Sequence, residues 1–469
     1  MLQLSIIVVY FLAVIGIGVW SKRRAESQNG FFVAHRRGTL PLITGSLVAT
    51  AVGGSALVVT ASWGFELGLP GAWWLLVGFV GLMIMGIFFA KKVRSAGLYT
   101  LPELVGRQYD HRVSLAASIL IVIAWVGVVA GQIVAAGSFL SILGIGSATF
   151  WMVVFTSVVI TYTILGGQFS VIRTDLFQAA IVFAGIFAAL AVVLFRLGGF
   201  SELKASLPAD YFSFPLSPKF DGKMLLSHLT LVGATYVVGP DMYSRLFCAR
   251  DEKTARNSVF VAAFFFILLA FGIALIGMSA KVLYPQIIPR DAFPQVVSGI
   301  LSPWLSGLIL AAVIAALMSS ADTCLLSQSI IFTQDILKRF NPLSERRTVL
   351  VTRLSLVTLS LVALALALAL QQVYASLMFA YTIFTCGLVV PVIAGFYKEK
   401  LKVTPQGALA ALIGGGVIGL LGKIPGVDIP LKGDLGLIGF AASAVLLFGV
   451  SFLTRKRSFS GAQSESKPG

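Results

Sequence analysis

AAVIAALMSSADTCLLSQSIIFTQD, residues 311–335, is the stretch whose reading decides the fold. It is apolar for two turns. Ser319, Ser320, Asp322 and Thr323 then arrive together, and apolar residues resume. The run between Trp304 and Lys338 is long enough to cross a bilayer as one helix. Four oxygen-bearing side chains at its middle cost several kcal/mol if they face lipid unpaired, so they are expected to face a protein interior and hold something. On a helix Ala316, Ser319, Ser320 and Thr323 share one face, at spacings of three and four. Hydroxyl, carboxylate and carbonyl oxygens suit a hard, small cation, and that face carries no thiolate or imidazole for a soft metal. Back-bonding to the preceding turn, or close helix packing, accounts for one hydroxyl. It accounts poorly for a cluster.

The rest of the chain supports a membrane setting. Of 469 residues, 58% are hydrophobic and 12% charged, where a soluble domain carries about 25% charged residues. The reading is an all-α polytopic membrane protein whose partners are the lipid bilayer and a small-molecule solute. The net charge of +16 does not point to nucleic acid, because the basic residues sit in short loops between apolar runs. Cys248, Cys324 and Cys386 are too few and too scattered for a disulfide framework or zinc site. Thirteen spans fit: 3–20, 41–65, 71–90, 113–143, 147–166, 171–196, 224–246, 256–281, 304–337, 348–370, 374–397, 405–422 and 434–454. The start, Ser5 to Trp20, reads as a retained first span rather than a cleaved signal. Every second loop is basic, and those loops, counting Arg245 to Arg256 among them, hold 26 of the 35 Lys and Arg residues. The positive-inside rule then predicts an outside N-terminus and a cytoplasmic C-terminus in a cell (inner) membrane. The tail from 458 is polar and is expected to be disordered.

Two spans are damaged alike. The second, SLVATAVGGSALVV, carries Gly53 and Gly54 in mid-run; the seventh, LVGATYVVGPDMYSR, carries Gly239 and Pro240. Gly and Pro weaken a helix interior, and lipid offers freed backbone groups no partner. Interrupted helices five spans apart mark an inverted-repeat transporter; the plainer alternative is a pair of ordinary kinks. The organisation expected is a first span and basic loop (1–40), a first repeat (41–196), an outer loop (197–223), a second repeat (224–397), two peripheral spans (398–454) and a cytoplasmic tail (455–469).

Taken together, SKRRAESQNGFFVAHRRGTLP after the first span, Tyr99-Thr100-Leu101-Pro102-Glu103, YTILGGQFSVIRTDLFQ at 162–178, Gly239-Pro240 with Arg245, and ALMSSADT with IFTQDI resemble the sodium:solute symporter family. Its members carry solutes such as proline, pantothenate, sialic acid and glucose. The resemblance covers nearly the whole chain. It implies a LeuT-type five-plus-five inverted repeat with flanking helices, and Na+ as coupling ion with no organic cofactor. It implies a sodium site made by backbone carbonyls of Ala49, Val52 and Ala316 with the hydroxyls of Ser319 and Ser320. Asp175 resembles an acidic position that in some relatives serves a second sodium or its inward release. Asp322 and Thr323 stand where those relatives have hydroxyl residues. The alternatives for Asp175 are a cap or a salt bridge with Arg173; for Asp322, a carboxylate paired with a hydroxyl or kept protonated.

A solute site is expected near the bilayer midplane beside the breaks. By the resemblance Tyr236 gates or stacks on the solute, while Trp73, Trp74, Trp125, Gln132, Tyr381 and Thr385 are candidates to line the same cavity. Aromatic residues in membrane helices more often pack or anchor. Proline carriers have an acidic residue where this chain has Ala51, and sugar carriers a Gln near Ala56. No Arg or Lys is expected in mid-membrane, although half-helix N-termini can hold a small carboxylate. The expected solute is small and partly apolar: an amino acid, monocarboxylate or related nutrient. Enzyme chemistry finds no footing, since His35, His111 and His228 are scattered. The expected activity is sodium-coupled symport by alternating access; a proton-coupled carrier is the nearest rival, ahead of a channel or a nutrient receptor.

Overall fold

Backbone polar groups cannot be left unpaired in hydrocarbon, so long apolar runs fold as helices. A computed structural model describes residues 2–141, 143–422 and 434–464. Its main helices are α1 (Leu2–Ser21), α2 (Leu40–Ala51), α3 (Gly54–Leu67), α4 (Leu69–Ser95), α5 (His111–Ser141) and α6 (Ala148–Leu197). They continue with α7 (222–238), α8 (Pro240–Cys248), α9 (Glu252–Leu283), α10 (Pro303–Phe340) and α11 (Glu345–Leu370). The last three are α12 (Val373–Gly395), α13 (Pro405–Leu421) and α14 (Leu435–Ser464).

Helix occupies each of the thirteen expected segments. Among the described residues nine helices are long and apolar enough to cross a membrane alone, and ten if α2 and α3 count as one bent span. The other segments are short or interrupted. Helix α13 has only 17 residues. Helix α6 has 50 residues, about 75 Å if straight, more than twice a hydrocarbon core of about 30 Å. Its backbone leaves helical geometry at Gly167 (φ 52°, ψ −154°), where the fifth and sixth expected spans meet. That conformation favours glycine, and an added Cβ would lie 2.6 Å from the Phe31 ring.

The two expected breaks are present. Helices α2 and α3 meet at 56° across Val52 and Gly53. Helices α7 and α8 are parted by Gly239, which is extended (φ −59°, ψ 136°). Helix α10 is the centre of the bundle, with 94% of its most apolar stretch buried, against 22% in α1 and 28% in α14. Helix α14 runs on to Ser464, and residues 465–469 of the polar tail lie outside the described ones.

Candidate ion and solute sites

A continuous helix would pair the carbonyls of Ala49 and Thr50 with amides four residues on. The break takes those amides away, and α10 supplies replacements. Ser319 Oγ donates to Ala49 O at 2.9 Å and lies 3.0 Å from Ala316 O. Ser320 Oγ donates to Thr50 O at 2.6 Å and lies 3.2 Å from Ala316 O. Both serines are buried. Five oxygens thus converge, four of them from expected residues, with Val52 buried in the break itself (φ −92°, ψ 46°). The Thr50 carbonyl was not expected. The approach is close because position 53 lacks a side chain: a Cβ there would lie 2.2 Å from Ser320 Oγ.

One turn toward the basic face is a buried charged knot. Arg245 Nη2 lies 2.9 Å from Asp175 Oδ2, and neither side chain is exposed. The same nitrogen donates to Thr50 Oγ1 at 3.2 Å and to Thr323 Oγ1. Ser46 donates to Asp175 as well, while Asp175 Oδ1 is buried without a partner among the described residues. Asp322 accepts from Tyr162 OH, and from Thr323 Oγ1 at 3.2 Å. Asp175, Asp322 and Thr323 are therefore brought together. Two expectations are corrected here. Arg245 is not a loop residue; its guanidinium turns into the bundle, which puts an arginine where none was expected. Asp175 pairs with Arg245 rather than Arg173, whose guanidinium donates to Phe169 O at 2.9 Å and lies 3.6 Å from the Phe169 ring centroid.

Between the two breaks is a cavity of about 30 Å³ whose lining includes Gly53, Ser320 and Asp241. Of the expected solute-site residues, Trp74, Trp125, Gln132, Tyr236 and Tyr381 line it. Gln132 Nε2 donates to Ser55 Oγ at 2.6 Å, and its Oε1 accepts from the Ser55 amide at 3.3 Å. Trp73 and Thr385 do not line it. Trp73 stacks on Phe214 and donates to Pro215 O at 2.9 Å, because neighbours on a helix point about 100° apart and Trp74 holds the inward direction. Thr385 donates to Leu231 O at 2.9 Å, joining α12 to α7. Asp241 was missed by sequence reasoning, although an acid just after a Gly-Pro break was visible.

Away from the basic face, a second cavity of about 300 Å³ is lined by Trp63, Glu66, Arg290 and Tyr374 among others. Trp63, Trp74, His228 and Tyr374 form an aromatic layer between the two spaces, with Trp63 and His228 ring centroids 4.7 Å apart. On the basic face a chain of hydrogen bonds joins neighbouring segments. Gln28 donates to Gln334 at 3.3 Å, Gln334 to Glu103 at 3.3 Å, and Tyr99 to Asn29 at 2.5 Å.

A broken helix facing paired serines beside an enclosed cavity is an arrangement that known proteins can be matched to. The family model described as "Sodium:solute symporter family" matches residues 31–415. The chain belongs to the sodium:solute symporter family. Relatives of this symporter include the high-affinity proline transporter PutP of Bacillus subtilis, 26% identical over 94% of this chain and 95% of that protein. Sodium/glucose cotransporter 2 of Rattus norvegicus is 25% identical over 90% of this chain and 71% of its own length. Among solved structures, a substrate-bound outward-open Na+-coupled sialic acid symporter superposes with a TM-score of 0.82 at 17% identity, covering 97% of this chain and 98% of its own. Mhp1, a nucleobase-cation-symport-1 family transporter, gives a TM-score of 0.55 at 15% identity over 91% of this chain and 95% of its own. The symporter has the LeuT-type fold and couples sodium to solute movement by alternating access.

Proposed function

We propose that this symporter drives uptake of a small organic nutrient with sodium held by Ala49, Val52, Ala316, Ser319 and Ser320, joined by the Thr50 carbonyl. The observation that carries this reading is the reach of both serine hydroxyls across to the carbonyls at the α2 break. Sodium there ties α10 to the broken helix and so steadies the wall it shares with the solute cavity, which couples the two ligands. The cell membrane is the setting, with the basic loops cytoplasmic, the N-terminus outside and the C-terminus inside. Residues 41–196 and 224–397 form the two repeats, and the chain crosses thirteen times. Each net positive charge carried inward then gains about 2.3 kcal/mol per 100 mV.

Asp175, Asp322 and Thr323 form a second cation or release site, supported by Asp175 Oδ1, which has no partner among the described residues. Proton coupling is the second reading, favoured by the buried Asp322–Tyr162 hydrogen bond, which suits a carboxylate that gains and loses a proton. Uptake into proteoliposomes, with potassium replacing sodium at fixed pH and fixed membrane potential, separates the two readings. Sodium coupling requires uptake to stop; proton coupling leaves it running. Ser319→Ala and Ser320→Ala are expected to raise the half-saturating sodium concentration at least about tenfold with expression retained. Unchanged sodium dependence in both removes the hydroxyls from the site.

A further inference from the structure

The chemistry lining the central cavity limits what it can recognise. Asp241 borders that space, and no Lys, Arg or His is among the described residues that line it. Asp241 makes no salt bridge among the described residues; the neighbouring guanidinium of Arg245 is committed to Asp175, Thr50 and Thr323. A carboxylate beside a cavity with no base to meet it is a demand for a positive group.

Both helix ends that might have welcomed an anion are already taken. Helix α8 opens on Pro240, which has no N–H, and the Asp241 carboxylate stands in its first turn. The positive end of that half-helix is therefore matched by a side chain of the chain itself. At the start of α3 the Ser55 amide donates to Gln132 Oε1. A solute carboxylate meets a carboxylate at one break and an amide oxygen at the other.

The walls favour a cation instead. Trp74, Trp125, Tyr236 and Tyr381 bring four aromatic rings to the same space, and ring faces attract ammonium groups. Trp125 adds a second demand. Its Nε1–H is buried with no oxygen acceptor among the described residues, so a solute that also carries an oxygen can satisfy it.

We propose that Asp241 is a solute-recognition residue of this symporter, and that the solute is a small molecule presenting a protonated amine to it. The proposal rests on the symport reading and narrows its substrate class. Amino alcohols and other small amines fit, and an amino acid fits with its carboxylate turned away from both breaks, toward the Trp125 Nε1–H. Monocarboxylates without an amine, and sugars and other neutral polyols, do not.

The test uses purified full-length protein and matched probes that differ in the amine. Thermal stabilisation is measured with ethanolamine against ethylene glycol, alanine against lactate, and proline against tetrahydrofuran-2-carboxylate, with glucose as a neutral polyol control, each in sodium and in potassium. Stabilisation by at least one amine-bearing probe, only in sodium and absent for its partner, is the expected result. Asp241→Asn is expected to weaken that probe at least about tenfold while stabilisation by sodium alone persists, and Asp241→Glu to keep the preference for amines. Stabilisation by lactate, ethylene glycol, tetrahydrofuran-2-carboxylate or glucose that Asp241→Asn leaves unchanged overturns the assignment, as does silence from every amine-bearing probe. Loss of all sodium-dependent stabilisation in the unmodified protein instead counts against the sodium reading itself.

Discussion

Arg245 carries the largest single electrostatic responsibility in the bundle. Its guanidinium is unexposed and offsets Asp175, which is also unexposed. Removing one partner of such a pair leaves a buried charge and costs about 3–5 kcal/mol. Arg245→Ala is expected to lower the unfolding temperature in detergent sharply, and adding Asp175→Asn to recover part of the loss. A double mutant no more stable than Arg245→Ala alone would mean the two groups are not coupled. At Gly53, a methyl group must displace the Ser320 hydroxyl 2.2 Å away. Gly53→Ala is therefore expected to raise the sodium requirement of uptake about as much as Ser320→Ala does, read from a sodium titration. The serines and Gly53 were legible because their meaning is local: hydroxyls three and four apart, glycines in a hydrophobic run. Arg245 was not. It ends a short polar run beside genuine loop charges, and its partner lies 70 positions away, so hydropathy counts it with the surface. Removing it from the basic loops leaves their excess intact.

At the scale of elements, each apolar run that hydropathy marked holds helix, since lipid enforces helix on any apolar run that crosses it. Short helices such as Leu101–Gln108 and Ala292–Gly299 went unmarked. Hydropathy gave the faces less well. Trp73 and Trp74 were grouped although adjacent helix positions diverge, and Thr385 was grouped although it bonds to α7. Such assignments depend on which neighbour a helix meets, which no single segment states. Helix α6 shows how one residue sets an element's shape. At Gly167 a positive φ and the Phe31 ring both oppose a side chain, and holding a non-glycine residue in such a backbone costs about 1–3 kcal/mol. Gly167→Ala is expected to lower thermal stability, and Phe31→Ala in the same chain to relieve only the contact, not the backbone strain. Full recovery in the double variant would show that strain at 167 is negligible.

The molecule has a cleft on each face: one on the basic side lined by Tyr99, Glu103, Gln334 and Asp335, and the vestibule lined by Trp63 and Tyr374 on the other. The Gln28–Gln334–Glu103 chain ties the basic side together, while the aromatic layer lies between the central cavity and the vestibule. Cys324 lines that cavity and is 2% exposed, which makes it a native reporter of access. With Cys248 and Cys386 replaced by Ser, Gln28→Ala with Gln334→Ala is expected to speed labelling of Cys324 by a water-soluble thiol reagent applied to the basic face. An unchanged rate would show that these contacts do not hold that side shut. The knot around Arg245 has a further consequence for any such opening. It joins α2 through Thr50, α6 through Asp175 and α10 through Thr323 to α8, which carries the arginine. Segments riveted at one dry point cannot slide past each other there, but they can swivel around it. The carrier's stroke should accordingly resemble a door turning on its pin, with spin labels near residue 245 almost still and those at the far rims sweeping the widest arc.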